Sequence, residues 1–452
     1  MSTIKEFWER NLIAPKVLYF TMNLAYYSCY TFRAKYLNQQ QGIETKEYGL
    51  IAAVLSLVVF FAGFFWSFLS DKMGNSKSIL IWSALISAAV FQCFIPKFGN
   101  LKIPLATLVS GAYIFFTSAF IPLLDAFVMN MLSSKKGMTK DMYGRQRMFG
   151  TIGYAVIAIV VSYLPLFPTI NIFIVVLSVL FAGCVYFMID APEKKIKYDI
   201  ESSKEIISTS VTKPDKAHSK SASVSTLNEI DMKQDVKPVQ KSGGLTKLLT
   251  NPNFLFLLLV VFMNGLARAV MTHFLEPIQR NVYKTPASAT GFSAASGVAL
   301  EVGVFFFSKD LLAYLGVRRM LLISQTAMVC RICCYAFLPR SFPGSSYIPI
   351  VYELFKGLSF GFMQSASVIW VTEITTPDTK AVGQAIYTGV FSGIAAFAAG
   401  LIGYLVQSIG VEDYHLMTKF QKIEMEVQRS SLLLTIMAIV SIFALILFFV
   451  CF

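Results

Sequence analysis

Twelve runs of roughly 20 apolar residues, the length a helix needs to cross a bilayer core, occupy 17–37, 48–69, 79–95, 103–127, 146–165, 170–189, 254–275, 289–308, 320–338, 348–371, 382–406 and 431–451. A chain in which 55% of residues are hydrophobic and only 14% charged is built for lipid rather than water. There, every backbone polar group must be satisfied inside its own segment, so each run is expected to be a helix. The expected class is an all-α integral membrane protein, with the lipid bilayer as its first partner.

Six runs lie on each side of one polar interruption. Residues 190–247 are rich in Lys, Ser, Asp and Glu and poor in aromatics, and they cannot bury enough apolar surface to order themselves. The expected organisation is a six-helix bundle over 1–189, a cytoplasmic, mostly disordered linker over 190–250 and a second six-helix bundle over 251–452. Acidic and basic residues in the linker nearly balance, which reads as solvation.

The net charge of +13 would suggest nucleic acid in a soluble protein, but here its distribution sets topology. With the N-terminus inside, Lys72, Lys77, Arg145, Lys309, Arg318, Arg319 and the linker lysines all fall on one side. Fewer cations fall on the other. This is the positive-inside bias, and an even number of spans leaves both termini in the cytoplasm. Nucleic acid is not needed to explain the charge. The N-terminal MSTIKEFWER leads directly into a full-length span, so retention of that span is expected. No retrieval or transit signal is visible, and the plasma membrane and a monomeric protein are the expectations.

The seven cysteines all sit in apolar segments, where they act as small hydrophobes. CRICC at 330–334 has a CxxC spacing but no further Cys or His beside it, so no metal is expected. The sequence lacks a phosphate-cradling GxxxxGK[ST] and an HExxH. Neither an enzymatic reading nor a cofactor is supported.

Two loops six spans apart match. DKMGNSK at 71–77 follows the second span and AYLGVRR at 313–319 follows the eighth, aligning Gly74 with Gly316 and Lys77 with Arg319. Glycine permits the tight reversal, and a cation there can cap helix carbonyls. Repeated bundles with a solute site between them are a common transporter plan.

Charges inside the spans mark that site, since an ionisable group in a bilayer is costly unless it faces a partner or a wet cavity. Asp125 lies toward the inner part of the fourth span, and YGRQRMFGTIGYA at 143–155 brings Arg147 to the start of the fifth. A guanidinium fork of donors beside a carboxylate suits a polyhydroxyl solute. Tyr154 follows Arg147 by two helical turns on the same face, and a ring there would accept a sugar or a nucleobase. Asn23 and Tyr27 in the first span, with Asn264 and Arg268 in the seventh, are further candidates for solute contact. Proton coupling needs a buried acid with exchangeable partners. Glu301, with Arg331 on the next span, is the leading candidate; Glu353 and Lys356, spaced i, i+3, could instead neutralise each other on one helix face.

The chain resembles the major facilitator superfamily, whose loop motif between spans two and three is matched here by Asp71, Lys72, Gly74 and Lys77. FLSDKMGNSKSIL at 68–80 and YGRQRMFGTIGYA are similar to segments of the lactose permease-like oligosaccharide/proton symporters. LEVGVFFFSKDLLAYLG at 300–316 and LFKGLSFGFMQSASVIWVTEITTPDTKAVGQAIY at 354–387 look more like the eukaryotic permease-like facilitators grouped with nucleoside/proton symporters. The resemblance implies twelve transmembrane helices in two six-helix halves around a cavity that opens to either side. It further implies that Asp125 and Arg147 hold solute hydroxyls, that Tyr154 stacks on a sugar ring, and that Arg331 belongs to the coupling apparatus. The second half departs from the permease pattern at Lys356 and Ser359, where a histidine and a carboxylate are replaced.

The expected activity is secondary transport of a small polar solute driven by a proton gradient, with a sugar first and a nucleoside second. An uncoupled uniporter or exchanger is a further alternative. So is a receptor that binds a ligand, or a protein through its 409–430 segment, without net transport.

Overall fold

The computed structural model describes residues 12–134, 143–189, 248–339, 342–375, 380–410 and 417–451. Nearly all of the expected linker, the Asp71 side chain and part of the 409–430 segment lie outside the described residues. Each of the twelve apolar runs contains helix, and no strand occurs among the described residues.

Among the described residues nine helices are long and apolar enough to cross a membrane, judged by length and composition, beginning with Thr45–Ser70 and ending with Phe420–Cys451. Spans one, five and ten fall short of that standard. Span one is broken into Ile13–Tyr27 and Arg33–Gln41; span five is Tyr143–Ser162; span ten is Leu354–Ile374, preceded by the short Pro349–Tyr352. These three helices carry Asn23, Tyr27, Arg147, Tyr154, Glu353 and Lys356. Span one falls short by length, its two pieces having 15 and 9 residues, whereas spans five and ten carry Arg147, Tyr154 and Lys356, which line an internal cavity instead of facing lipid.

Helices pack into four apolar clusters, two in each half. Leu24, Ile51, Phe91 and Ile157 belong to one cluster of the first half, and Leu18, Leu80, Phe120 and Phe181 to the other. Val270, Ile332, Ala399 and Leu433 and Phe254, Met320, Met363 and Val371 form those of the second half. Phe61, Phe68, Trp82, Leu108, Phe187 and Ile439 are exposed on the outside. A belt of that size on a soluble protein would drive association; in a multi-pass membrane protein it meets acyl chains.

The matching loops share a backbone feature. Gly74 has φ +63° and ends Thr45–Met73 by donating its N–H to the Ser70 carbonyl. Asn75 then caps Ser76–Phe91 by accepting from the Ser78 N–H at 3.1 Å. Gly316 has φ +71° and interrupts Ser308–Phe337 at the equivalent place. Lys72 and Arg319 are exposed beside these turns, and the Lys77 ammonium lies 5.0 Å from the Tyr186 ring centre.

These loops, with Ile189 and Leu248, mark one end of the bundle, called here the linker end. At the opposite, far end the two halves meet closely. A Cβ built on Gly400 of span eleven would lie 2.6 Å from the Ala53 nitrogen of span two. One on Gly291 of span eight would lie 2.7 Å from the Ala158 carbonyl of span five. Only glycine allows helices to approach so near. The Lys46 ammonium, 5.7 Å from the Tyr404 ring centre, adds a contact between halves at the same end.

Candidate functional site

Between the halves lies a cavity of about 650 Å³. Ser308, Lys309, Leu312, Val368 and Ile369 line it at the linker end, and the glycine crossings bring the halves together at the far end.

Asp125 and Arg147 meet on the first-half wall. Arg147 Nη1 donates to Asp125 Oδ2 at 3.2 Å and to the Tyr143 hydroxyl at 2.7 Å. Tyr19 donates its hydroxyl to Asp125 Oδ1 at 2.6 Å. The pair is held but not hidden: 43% of the Arg147 side chain and 23% of Asp125 remain exposed to the cavity. Gly150 and Gly153 of YGRQRMFGTIGYA let span five lie against span one, where a Cβ on Gly153 would sit 2.7 Å from the Phe20 carbonyl. Asn23 fills the neighbouring notch and donates to the Tyr19 carbonyl at 2.9 Å while still lining the cavity.

Farther in, Tyr27, Tyr30 and Tyr154 form an aromatic cluster. Tyr27 and Tyr154 have ring centres 4.7 Å apart, and Tyr27 and Tyr30 stand edge to face at 5.0 Å. The Lys356 ammonium reaches across from the second half and lies 4.9 Å from the Tyr154 ring centre.

The second-half wall differs from the expected pairings. Arg331 and Glu353 form a bidentate pair, with Nε to Oε1 at 3.0 Å and Nη2 to Oε1 and Oε2 at 2.8 Å each. Tyr335 donates to Glu353 Oε1 at 3.1 Å, and both charged side chains are almost fully buried, 3% and 0% exposed. Arg331 therefore pairs with Glu353 and not with Glu301, and Glu353 does not turn to Lys356. The reason is geometric: two planar groups facing across spans nine and ten make parallel hydrogen bonds that a lysine on the same helix cannot match.

Glu301 is left without a hydrogen bond or ion pair among the described residues. It lines the cavity at 8% exposure, and Lys356, Arg147 and Arg268 are the charged groups that act on it. Arg268 also lines the cavity, its guanidinium carbon 4.6 Å from the Phe391 ring centre and 5.9 Å from that of Phe360. Phe391 sits in a π-helical turn, Val390–Ile394, within span eleven. Such turns often mark functional positions, and this one sets the ring beneath Arg268.

Asn264 does not reach the cavity. It is buried at the contact of spans seven and nine and donates to Gln325 Oε1 at 3.3 Å. His273 is only partly buried and does not line the cavity, though its Nε2 is shielded, and Glu276 pairs with Arg280 at 3.3 Å. Sequence reasoning overlooked Tyr19, Tyr143, Phe360 and Phe391. Tyr143 had a signal, since it lies one turn before Arg147 in the same motif, and Tyr19 lies one turn before Asn23 on the first span. Phe360 and Phe391 had none, in a chain with 40 phenylalanines.

The model of the MFS_1 like family matches residues 12–417. The chain is 23% identical over 408 residues, 87% of each protein, to an uncharacterized transporter, YwbF, of Bacillus subtilis (strain 168). Its fold is similar to that of a mutant of the nucleoside transporter NupG, with TM-score 0.73 and 15% identity over 97% of this chain and 99% of the other. It is also similar to an inward-facing, occupied bacterial homologue of the human lysosomal transporter Spinster, with TM-score 0.64 and 12% identity over 98% of this chain and 96% of the other.

Proposed function

The chain belongs to the MFS_1 like family of major facilitator transporters, and from that premise we propose that it carries a small, hydroxylated ring solute, a sugar in the first instance, across the membrane together with a proton. The observation that carries this reading is the half-exposed Asp125–Arg147 pair. A hydroxyl both donates and accepts; the carboxylate accepts its hydrogen bond and the guanidinium fork donates to its oxygen. Tyr19 and Tyr143 hold the two groups in place while leaving them accessible. The Tyr27 and Tyr154 rings offer an apolar face for the carbons of a sugar.

Glu301 supplies the proton site, since it lies in the same cavity without a bonded partner. Entry alternates between ends as the halves rock about the solute. The conformation described above, with its halves together at the far end, is open to the cytoplasm when the positive-inside bias places the basic linker end there. The plasma membrane remains the proposed location.

A nucleoside is the second reading. It is favoured by the three clustered tyrosines and by the fold's likeness to NupG, a nucleoside transporter.

Counterflow in proteoliposomes tests the proposal. Asp125→Asn and Arg147→Gln variants that fold normally are expected to lose saturable exchange by tenfold or more. Exchange at the wild-type rate removes the pair from solute binding. An imposed pH gradient is expected to drive accumulation in the wild type but not in Glu301→Gln, which should retain exchange.

A further inference from the structure

Among the described residues, Arg268, Lys356 and Glu301 of the second half face the cavity without a bonded partner. Arg268 makes no side-chain hydrogen bond or ion pair among the described residues, and its Nε is buried without an acceptor. Its contacts are the faces of Phe391 and Phe360. The Lys356 ammonium likewise has only the Tyr154 face. A ring face attracts a cation but accepts no ordinary hydrogen bond, so both cations enter the cavity with donors to spare.

They share one stretch of it. Lys356 and Phe360 are successive turns of span ten, about 6 Å apart along its axis, and Arg268 rests on Phe360. Glu301 comes from span eight, which meets span ten backbone to backbone: a Cβ on Gly357 would lie 2.7 Å from the Glu301 nitrogen. The groups facing Glu301 are Lys356 from span ten, Arg147 from span five, Arg268 from span seven and Tyr27 from span one.

Asp125 balances Arg147, and Glu353 balances Arg331. The deep part of the cavity is then left with two cations and one acid. A neutral sugar would leave that imbalance in a low-dielectric site, and protonation of Glu301 would enlarge it to two uncompensated cations, one of which a bound anionic group offsets.

We infer that the transported solute carries one anionic group, a carboxylate or a phosphate, bound jointly by Arg268 and Lys356, and that Glu301 competes with this group for the same two cations. This rests on the transport reading above and narrows its solute class. A hexuronate or a sugar phosphate spans the site, with hydroxyls at Asp125–Arg147, its ring against Tyr27 and Tyr154, and its anion at Arg268–Lys356. While Glu301 is ionised its charge partly offsets the two cations and repels the solute anion, which binds weakly. Once Glu301 takes a proton the cations are released to the solute. Proton and anion therefore favour each other's binding, and by linkage the effect is reciprocal.

The test uses the full chain in proteoliposomes, with counterflow and thermal stabilisation read for glucose, glucuronate, glucose phosphate, uridine and uridine monophosphate. An acid is expected to bind at least tenfold more tightly than its neutral counterpart, and the carboxylate and phosphate members identify which anion is recognised. Arg268→Gln and Lys356→Gln should each weaken that acid tenfold or more, with partial recovery in Arg268→Lys. Binding of the acid should tighten as pH falls in the wild type and lose this dependence in Glu301→Gln. That last comparison does not require the arginine variant to fold. Preference for a neutral solute that Arg268→Gln leaves untouched overturns the anion site while transport stands, and so does a Glu301→Gln variant with the wild-type pH dependence. Absence of saturable exchange with every solute overturns both readings.

Discussion

The Lys356 ammonium of the second half lies 4.9 Å from the centre of the Tyr154 ring of the first half. This contact bridges the halves inside the cavity, beside the place where a solute must bind. A double-mutant cycle with Tyr154→Leu and Lys356→Met should show a coupling of about 0.5–2 kcal/mol, the range of a cation over a ring. Thermal unfolding in detergent measures it. Tyr154→Phe keeps the ring face and should preserve the coupling; loss of coupling in that variant would instead identify the hydroxyl as the contact.

The two internal ion pairs should respond differently to removal of their acids. Glu353→Gln leaves Arg331 buried and unpaired, which costs roughly 3–5 kcal/mol, so its yield of folded protein should collapse. Asp125→Asn leaves Arg147 a hydroxyl partner and access to the cavity, and its cost should be about 1 kcal/mol or less. Size-exclusion profiles and melting temperatures of the two variants separate these outcomes.

The far-end contact should yield to a side chain at Gly400. Gly400→Val has no room against the Ala53 backbone, and overpacking of this kind costs about 1–3 kcal/mol. The halves are expected to part at that end. In a background with the native cysteines replaced, a cysteine at Thr290, which lines the far-end part of the cavity, should then react faster with an impermeant maleimide added from the far side. An unchanged rate would mean that spans two and eleven do not control access.

Gly297 should prove necessary for the placement of Lys356. A Cβ there would lie 2.9 Å from Lys356 Cδ and 3.1 Å from the Glu353 carbonyl. Gly297→Ala should therefore move the lysine stem away from Tyr154 and abolish the coupling measured by the double-mutant cycle. Gly357→Ala meets backbone atoms instead, 2.5 Å from the Gly297 carbonyl, and should mainly lower the melting temperature. If Gly297→Ala leaves the coupling intact, the lysine stem does not depend on that notch.

The helical architecture was legible because lipid leaves a backbone few choices. Twelve apolar runs become helices wherever they sit, and the positive φ at Gly74 and Gly316 follows from the loops in which they recur. The Asp125–Arg147 contact was also legible, since consecutive spans are neighbours and the two charges fall near the same end of them. The Arg331–Glu353 pair was not. From sequence, Arg331 could face an acid on span eight or on span ten; helix rotation chose between them, and rotation is set by packing. The same holds for Asn264, whose spacing suited a cavity position but whose side chain turned to Gln325.

Sequence by itself determined the solvent, the helical class, the matching loops and the side chains too costly to place in lipid. Each of those depends on transfer free energy summed over a local segment. Tertiary structure alone decided which charges were bonded and which were left bare. That choice rests on helix rotation and on glycine-sized gaps between helices distant in the chain. It is why Glu353 is locked to Arg331 while Glu301, Arg268 and Lys356 remain available in the cavity.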